Sequence, residues 1–132
     1  MMPKVFLGGT CNESLWRDYV ISKLKIDYFN PVVEDWTPEC QEEEIRQREI
    51  CDFCLYVITP KMTGVYSIAE VIDDSNKRPE KTIFCYLHSD FPNEFSGGQK
   101  RSLDNVGKMV ERNGGRWFKS IYDVIDFLNK SG

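Results

Sequence analysis

Short apolar runs alternate along this chain with longer stretches in which apolar residues recur every three or four positions. A run of about four to eight apolar residues between turn-forming residues is typical of a buried strand, and the wider spacing is typical of a helix packed on one face. The apolar runs predict five strands, at 4–8, 26–29, 53–58, 81–87 and 116–118. The wider spacing predicts helices at about 15–24, 65–76 and 121–128. Two more helices are expected, at 38–51, a Glu- and Arg-rich segment that begins with Thr37-Pro38, and at 99–111.

The order of these elements predicts the fold class. Strands that alternate with helices form parallel βαβ units. We therefore expect one α/β domain over residues 1–132, a doubly wound, flavodoxin- or Rossmann-like three-layer sandwich with about five parallel strands. Three predicted helices follow residues suited to capping, namely Asn12, Thr37 with Pro38 behind it, and Ser120. We expect residues 88–98 to form a loop.

Composition narrows the functional classes. The chain has 132 residues, 41% hydrophobic and 29% charged, as in an ordinary globular protein. No apolar stretch approaches the roughly 20 residues of a membrane-spanning helix, and the first residues lack the apolar region of a signal peptide. The net charge of −4 argues against binding a nucleic-acid polymer. We expect a cytoplasmic protein that binds neither nucleic acid nor membranes.

The five cysteines and the single histidine give little support for metal or thiol chemistry. Cys51 and Cys54 have the spacing of a zinc-ligand pair, but no second cysteine pair follows them. We therefore expect buried structural thiols, no metal and no cofactor. A serine or cysteine nucleophile with a histidine base would have to use His88, and no nucleophile motif accompanies that residue.

Glu70 is the most informative candidate for chemistry. The strand predicted at 53–58 is followed by two turn-forming pairs and then by a helical pattern from about Val65. Glu70 therefore falls in the first turns of a helix, at the edge of the sheet where α/β proteins bind ligands. A helix N-terminus favours an ionised carboxylate, which is what a covalent nucleophile must be. The alternative is a solvated glutamate without a chemical role.

Two further features belong to the same predicted edge of the sheet. The turn Gly8-Gly9-Thr10 follows the first strand, and the backbone amides of such a turn suit a phosphate or a ribose. This turn is neither a dinucleotide-binding motif nor a P-loop. The acidic run Glu42-Glu43-Glu44 on the second predicted helix is the kind of feature that usually forms a solvated face. If one of its carboxylates points over the sheet edge, it can handle a proton while Glu70 attacks.

Taken in order, these segments resemble the nucleoside 2-deoxyribosyltransferase family over nearly the whole chain, from Lys4 to about Leu128. The matching pieces are Val5-Phe6-Leu7-Gly8-Gly9, Trp16-Arg17, Asn30-Pro31 with Glu34-Asp35-Trp36, Asp52, the segment ending in Glu70, and Asp104-Asn105-Val106. In that family a helix-borne glutamate attacks the anomeric carbon of a 2-deoxyribonucleoside, the base leaves, and a second base or water takes the sugar. The resemblance implies this activity here, with a nucleoside or nucleotide and a free base as substrates.

The resemblance also implies roles for individual residues. Glu70 matches the nucleophile, and Glu44 matches the acid that contacts the base. The residues implied to contact the substrate are Gly8, Gly9, Trp36, Asp52, Thr63, Gly64, Ser67 and Asn105. Asn105 matches an asparagine that reaches the sugar in a neighbouring subunit, so we expect a homo-oligomer.

Three positions depart from the family pattern. Phe6 stands where a tyrosine often hydrogen-bonds the nucleophile, Gly64 where an acid contacts the 5′ end of the sugar, and Ile72 where glycine is usual. Without that acid, the hydroxyls of Thr63 and Ser67 suit a 5′-phosphate. Hydrolysis of a nucleoside or a deoxynucleoside monophosphate is therefore one alternative function. A non-catalytic nucleotide-binding module on the same fold is another.

Overall fold

The structure is a computed structural model that describes residues 2–11 and 13–132. The elements in chain order are β1 (Lys4–Gly9), α1 (Trp16–Lys23), β2 (Asp27–Phe29), α2 (Pro38–Ile50), β3 (Phe53–Ile58), α3 (Tyr66–Lys77), a 3₁₀-helix (Pro79–Lys81), β4 (Thr82–Tyr86), β5 (Ser89–Asp90), β6 (Asn93–Glu94), α4 (Gly97–Arg112), β7 (Arg116–Trp117) and α5 (Ile121–Lys130). Each of the five predicted helices and five predicted strands is present, with its ends within two residues of the expected positions.

Five of the strands form one parallel sheet in the order β2-β1-β3-β4-β7. Gly9 pairs with Val57, and Ile58 pairs with Tyr86, so the carboxyl ends of β1, β3 and β4 lie at one edge. The direction of winding changes between β1 and β3, and in a flavodoxin-like sheet a crevice opens at the carboxyl edge of this switch point. The predicted fold class, a doubly wound three-layer sandwich with five parallel strands, is confirmed.

Both faces of the sheet are covered, because successive side chains of a strand point to opposite faces. In β3, Leu55 and Val57 belong to the apolar layer shared with α1 and α5. Cys54 and Tyr56 belong to the opposite layer, which is covered by α2, α3 and α4. All four side chains are fully buried. Burying a large apolar side chain contributes about 1.5–3 kcal/mol to the stability of the fold. Strand β3 therefore anchors both apolar layers and holds the sheet edge in place.

The close approach of the end of β1 to β3 requires glycine at position 9. Gly9 has a φ of 117°, and a Cβ atom there would lie 2.0 Å from the carbonyl oxygen of Val57. Thr10 then joins the two strand ends: its N–H donates to Val57 O at 2.9 Å, and its Oγ1 accepts from the N–H of Thr59 at 2.9 Å. Hydrogen bonds between the two strand ends therefore form the floor of the crevice.

The segment 88–98 is more than the loop expected from the sequence. Its strands β5 and β6 form a small antiparallel hairpin. Asp90 holds this hairpin against the rest of the protein, because its carboxylate accepts from the Ser14 hydroxyl at 2.6 Å and lies 3.8 Å from the Lys61 ammonium group. The four residues of these strands are all polar, so the sequence carries no apolar run that would predict them.

The starts of the helices follow the capping residues where these are described. Thr37 accepts from the N–H of Cys40 at the start of α2, and Ser120 caps α5, both as expected. The expected cap Asn12 lies outside the described residues. Leu15, whose spacing predicts a place on the buried face of the first helix, instead precedes α1 and is 71% exposed.

Substituting Gly9→Ala tests the close approach of β1 and β3. The added Cβ meets the Val57 carbonyl oxygen, and alanine disfavours the positive φ. We expect the free energy of unfolding to fall by more than about 2 kcal/mol in urea denaturation. Gly64→Ala is the matched control, because no atom lies within 4 Å of its added Cβ, and it should change stability by less than about 1 kcal/mol. Equal stability of the two variants would contradict this account.

Candidate active site

A cavity of about 370 Å³ opens at the carboxyl edge of the sheet, at the switch point between β1 and β3. This volume falls in the range of small-molecule sites, about 300–1,000 Å³. The lining comes from β1 and the turn after it, from α1, from the loop after β2, from α2, and from α3 with the segment that leads into it. It comprises Phe6, Gly8, Gly9, Thr10, Cys11, Arg17, Pro31, Val32, Val33, Trp36, Glu44, Met62, Thr63, Gly64, Tyr66, Ser67 and Glu70. Two carboxylates, those of Glu44 and Glu70, therefore share one cavity.

Glu70 lines this cavity although the residue is only 8% exposed. Its Oε2 lies 3.6 Å from Nη1 of Arg48 in an ion pair. Burial raises the pKa of Glu70 from 4.5 to about 7; the charge of Arg48 opposes that rise, and the charge of Glu44 adds to it. A carboxylate with a pKa near neutrality is suited both to proton transfer and to attack on an electrophilic carbon.

The environment of Glu70 differs from the one expected at a helix N-terminus. Helix α3 begins at Tyr66, so Glu70 lies in its second turn, beyond the first turn where the helix dipole acts most strongly. Burial has the largest effect on the pKa of Glu70, and it acts against ionisation. The alternative of a solvated glutamate is also wrong, because the side chain is buried.

Glu44 is the member of the acidic run that reaches the cavity. The residue is half-buried, and burial raises its pKa while the charges of nearby arginines, Arg48 foremost, oppose the rise. Glu43 is turned elsewhere, since its Oε1 accepts from the Gln47 side chain at 2.7 Å, and Glu42 is exposed. A carboxyl group with a raised pKa at the cavity wall is suited to giving and taking a proton.

Arg17 is a cavity residue for which the sequence pattern indicates no role. Its buried guanidinium group donates hydrogen bonds to three carbonyl oxygens near the end of β1, at 3.0, 3.0 and 2.5 Å, those of Leu7, Gly9 and Thr10. Burial lowers the pKa of Arg17 to about 10, so it stays charged at neutral pH. Arg17 therefore fixes the glycine turn and adds positive charge to a cavity that holds two carboxylates.

A buried polar cluster lies behind Glu70. Asp74, which has no exposed surface, accepts hydrogen bonds from Nε and Nη2 of Arg48 at 3.2 and 2.9 Å and from Nη1 of Arg78 at 3.1 Å. The Tyr56 hydroxyl also donates to Asp74. Although burial acts to lower the pKa of Arg48, its contacts with Asp74 and the nearby negative charges raise it above its ordinary value. The cluster therefore joins α2, α3 and β3 immediately beside the cavity.

Sequence reasoning missed this cluster, although helical spacing contains a signal for it. Arg48 follows Glu44 by four residues on α2, and Asp74 follows Glu70 by four residues on α3. Residues four apart share one face of a helix. Glu44 therefore shares a helix face with the positively charged Arg48, and Glu70 shares one with the negatively charged Asp74. The two pairs meet where Arg48 contacts Glu70 and Asp74.

Most of the other expected substrate contacts lie around the same cavity. Trp36 is 60% exposed and lines its mouth, and Gly8, Gly9, Thr63, Gly64 and Ser67 line its wall. Gly8 also leaves room for the ring of Tyr56 on the neighbouring strand, since a Cβ at position 8 would lie 2.5 Å from that ring. The structure thus brings together both expected catalytic carboxylates and six of the eight expected contact residues.

Asp52 and Asn105 do not reach this cavity. Asp52 precedes β3 at the amino edge of the sheet, where its carboxylate accepts from the N–H of Lys4 at 2.8 Å. The expected contact of Asp52 with the substrate is therefore wrong for this chain's cavity, because the length of β3 separates Asp52 from the carboxyl edge. Asn105 is exposed on α4, outside the cavity lining of its own chain. His88 is likewise exposed and stacks on the ring of Tyr86.

Among the described residues 2–11 and 13–132, no group of three or more His, Cys, Asp or Glu side chains is arranged to hold a metal ion. None of the helices in this part of the chain combines the length and apolarity needed to cross a membrane.

Most of the chain matches a known protein family. Residues 2–88 match the model of the family described as nucleoside 2-deoxyribosyltransferase like, which is about two thirds of the chain. The matched range includes all the cavity-lining residues. Members of this family are generally enzymes. The family is associated with glycosyl transfer, with nucleosides and bases as substrates. A comparison with curated proteins finds no match.

Substituting Glu70→Gln tests the burial of the charge. The pKa of Glu70 rises from 4.5 to about 7 on folding, so the folded protein binds the proton more tightly and loses stability as the pH rises between these values. Glutamine mimics the protonated side chain. We expect the variant to match the wild type near pH 4 and to exceed its free energy of unfolding by about 2–3 kcal/mol near pH 8.

Urea unfolding curves at the two pH values measure this difference. Glu42→Gln, a change at an exposed residue of α2, is the control and should leave the pH dependence of stability as it is in the wild type. If Glu70→Gln and wild type were equally stable near pH 8, the buried charge would not be destabilising.

Proposed function

The chain belongs to the nucleoside 2-deoxyribosyltransferase-like family, and from that premise we propose that it transfers a 2-deoxyribosyl group between nucleobases through a covalent glutamyl–sugar intermediate. The observation that carries the proposal is the buried carboxylate of Glu70 at the wall of a cavity that Glu44 also lines. One carboxylate attacks the sugar, and the other handles the proton of the base. Both residues fall within the matched range.

In the first step, an oxygen of the ionised Glu70 carboxylate forms a bond to C1′ of the nucleoside. The bond between C1′ and the base nitrogen breaks, and the base leaves with its electron pair. The carboxyl group of Glu44, whose pKa is raised by burial, protonates the departing base. The sugar is then bound to Glu70 as an ester, and Glu44 is ionised.

In the second step, a new base attacks C1′ from the side that the first base left. Glu44 takes the proton of the attacking nitrogen, the bond between C1′ and Glu70 breaks, and both carboxylates return to their starting states. Two displacements at C1′ preserve its configuration. If water attacks in place of the base, the same site hydrolyses the nucleoside, so transfer and hydrolysis differ only in the acceptor.

The remaining cavity residues suit the two parts of a nucleoside. Trp36 offers an exposed aromatic face at the mouth, where a base can stack. Gly8 and Gly9 leave the backbone open to the sugar, with Arg17 holding their turn in place. On the other wall, Thr63 and Ser67 flank Gly64, which brings no negative charge. Because Gly64 does not repel a 5′-phosphate, a deoxynucleoside monophosphate is an alternative substrate.

Asn105 suits a role between subunits. It is exposed on α4 and does not line the cavity of its own chain, so it would contact a sugar only in a neighbouring copy. The proposal therefore includes a homo-oligomer, and it treats residues 1–132 as one domain of a cytoplasmic enzyme without a cofactor. Asp52 has no part in the chemistry because it lies at the opposite sheet edge.

A base-exchange assay tests the proposed reaction. The wild type is incubated with a 2′-deoxynucleoside, or with its 5′-monophosphate, and an excess of a second free base. We expect a new deoxynucleoside with the second base attached, and we expect Glu70→Ala to lower the rate by at least about 10³-fold because the nucleophile is lost. Glu42→Gln, at an exposed position on the helix of Glu44, should retain the wild-type rate.

The products distinguish the three functions. Exchange of the base supports transfer, release of free base and free sugar supports hydrolysis, and binding without turnover supports the non-catalytic module. Wild-type turnover by Glu70→Ala would contradict the role of Glu70 in either reaction.

A further inference from the structure

Arg48 is buried, does not line the cavity and yet pairs with the candidate nucleophile. We propose that Arg48 is a positioning residue that holds Glu70 ionised at the wall of the cavity through their ion pair, without hydrogen bonding to it. The proposal deepens the function given above, because it assigns the group that prepares the nucleophile. Its physical claim concerns the carboxylate itself and does not depend on which substrate the protein uses.

The guanidinium group of Arg48 has a fixed orientation. Two of its nitrogens, Nε and Nη2, bind the two carboxylate oxygens of Asp74, at 3.2 and 2.9 Å. Nη2 also donates to Oδ2 of Asp73 at 2.9 Å. A bidentate contact of this kind fixes the plane of the guanidinium group. The third nitrogen, Nη1, is the one that lies beside Glu70.

Asp74 is itself held in place, so Arg48 has little freedom to turn away from Glu70. The Tyr56 hydroxyl and Nη1 of Arg78 both donate to the Asp74 carboxylate. Asp74 and Tyr56 have no exposed surface, and Arg48 is 6% exposed. The cluster is therefore assembled before any substrate binds, as preorganised electrostatic stabilisation requires.

The distance from Arg48 to Glu70 is informative. At 3.6 Å, Nη1 and Oε2 are close enough for strong charge attraction and too far apart for a hydrogen bond. A hydrogen bond from a cation would occupy an oxygen lone pair of Glu70 and weaken it as a nucleophile. An ion pair at this distance favours the ionised form and leaves the lone pairs for attack on C1′.

Several other groups act on Glu70, and Arg48 is the strongest of those that favour its charge. The charged and titratable groups facing Glu70 are Arg48 and Glu44 of α2, Arg17 of α1, Tyr56 of β3, and Asp74 of its own helix. Glu44 and Asp74 oppose ionisation, as does burial, while Arg17 contributes less than Arg48 in its favour. Without Arg48, the protonated and non-nucleophilic form of Glu70 should prevail at neutral pH.

The decisive experiment is an NMR titration of the Glu70 carboxyl carbon in the full chain labelled with ¹³C-glutamate, using Glu70→Gln to assign the signal. In Arg48→Met we expect the midpoint of the Glu70 titration to move upward by at least about 1 pH unit, the size of effect that an opposite charge at this distance produces. In Arg48→Lys, which keeps a cation, we expect a smaller upward movement.

Arg78→Met is the matched control. It removes another arginine that binds Asp74, one that is absent from the groups acting on Glu70, so the Glu70 midpoint should stay near its wild-type value. The proposal fails if folded Arg48→Met leaves the Glu70 titration unchanged, or if Arg78→Met moves it as far as Arg48→Met does.

A measurement on the wild type decides the question even if Arg48→Met does not fold. The side-chain NMR signals of Arg48 should shift with the same midpoint as the Glu70 carboxyl carbon, and this shift should vanish in Glu70→Gln. An Arg48 signal that ignores the ionisation of Glu70 would overturn the pairing. Neither titration needs turnover, so failure of the proposed reaction and failure of the positioning role give different results.

Once an activity is measured, its pH profile gives a second readout. We expect Arg48→Lys to move the acidic limb of kcat/KM toward higher pH in parallel with the Glu70 titration, because only ionised Glu70 attacks. A uniform loss of rate without movement of the limb would indicate a structural role for Arg48 and contradict the proposal.

Discussion

The buried contact between Arg48 and Asp74 joins the helix that carries Glu44 to the helix that carries Glu70. Both charges lie away from water, and removing one partner of such a pair costs about 3–5 kcal/mol because the other is left uncompensated. Tyr56 ties the pair to the central strand of the sheet. The spacing of the two candidate catalytic carboxylates therefore depends on this contact, and so does the charge that faces Glu70.

The site combines features that oppose stability with features that serve chemistry. Glu70 is buried beside the carboxylates of Glu44 and Asp74. Its pKa near 7 means that ionising its side chain costs free energy in the folded protein. Arg48 offsets part of that cost, and Arg17 of α1, which lines the cavity, adds further positive charge. On the floor, the positive φ of Gly9 lets β1 approach β3 closely enough for Thr10 to join the two strand ends. Activated side chains on a rigid floor are what a covalent mechanism needs.

Local patterns were sufficient to predict the fold, because the buried strands β1, β3 and β4 are apolar runs and α3, α4 and α5 each have an apolar face. Helix α2 has no such face and is marked instead by its capping residue. The bounds of β3 and the Thr37 cap were predicted correctly for that reason. The start of α4 was placed two residues late, because Gly97 and Gly98 conceal a capping box between Ser96 and Gln99. The β5–β6 hairpin was missed because it depends on the distant contact of Asp90 with Ser14.

The sequence placed Glu70 at the correct sheet edge but not in its actual environment. Burial is a property of the packed protein, so the rise in its pKa did not follow from helix position, and neither did the pairing with Arg48 across two helices. Asp52 shows the converse error: it is adjacent in sequence to the strand that leads to the site and lies at the far end of that strand.

The central claim is that Glu70 forms a covalent bond to the sugar, and the most direct measurement is the mass of the protein after incubation with a fluorinated 2′-deoxynucleoside that slows release of the sugar. The account predicts a mass increase equal to one fluorinated sugar, located by peptide mapping on Glu70 and absent from Glu70→Ala. Release of base without any adduct, or an adduct on another residue, would contradict it.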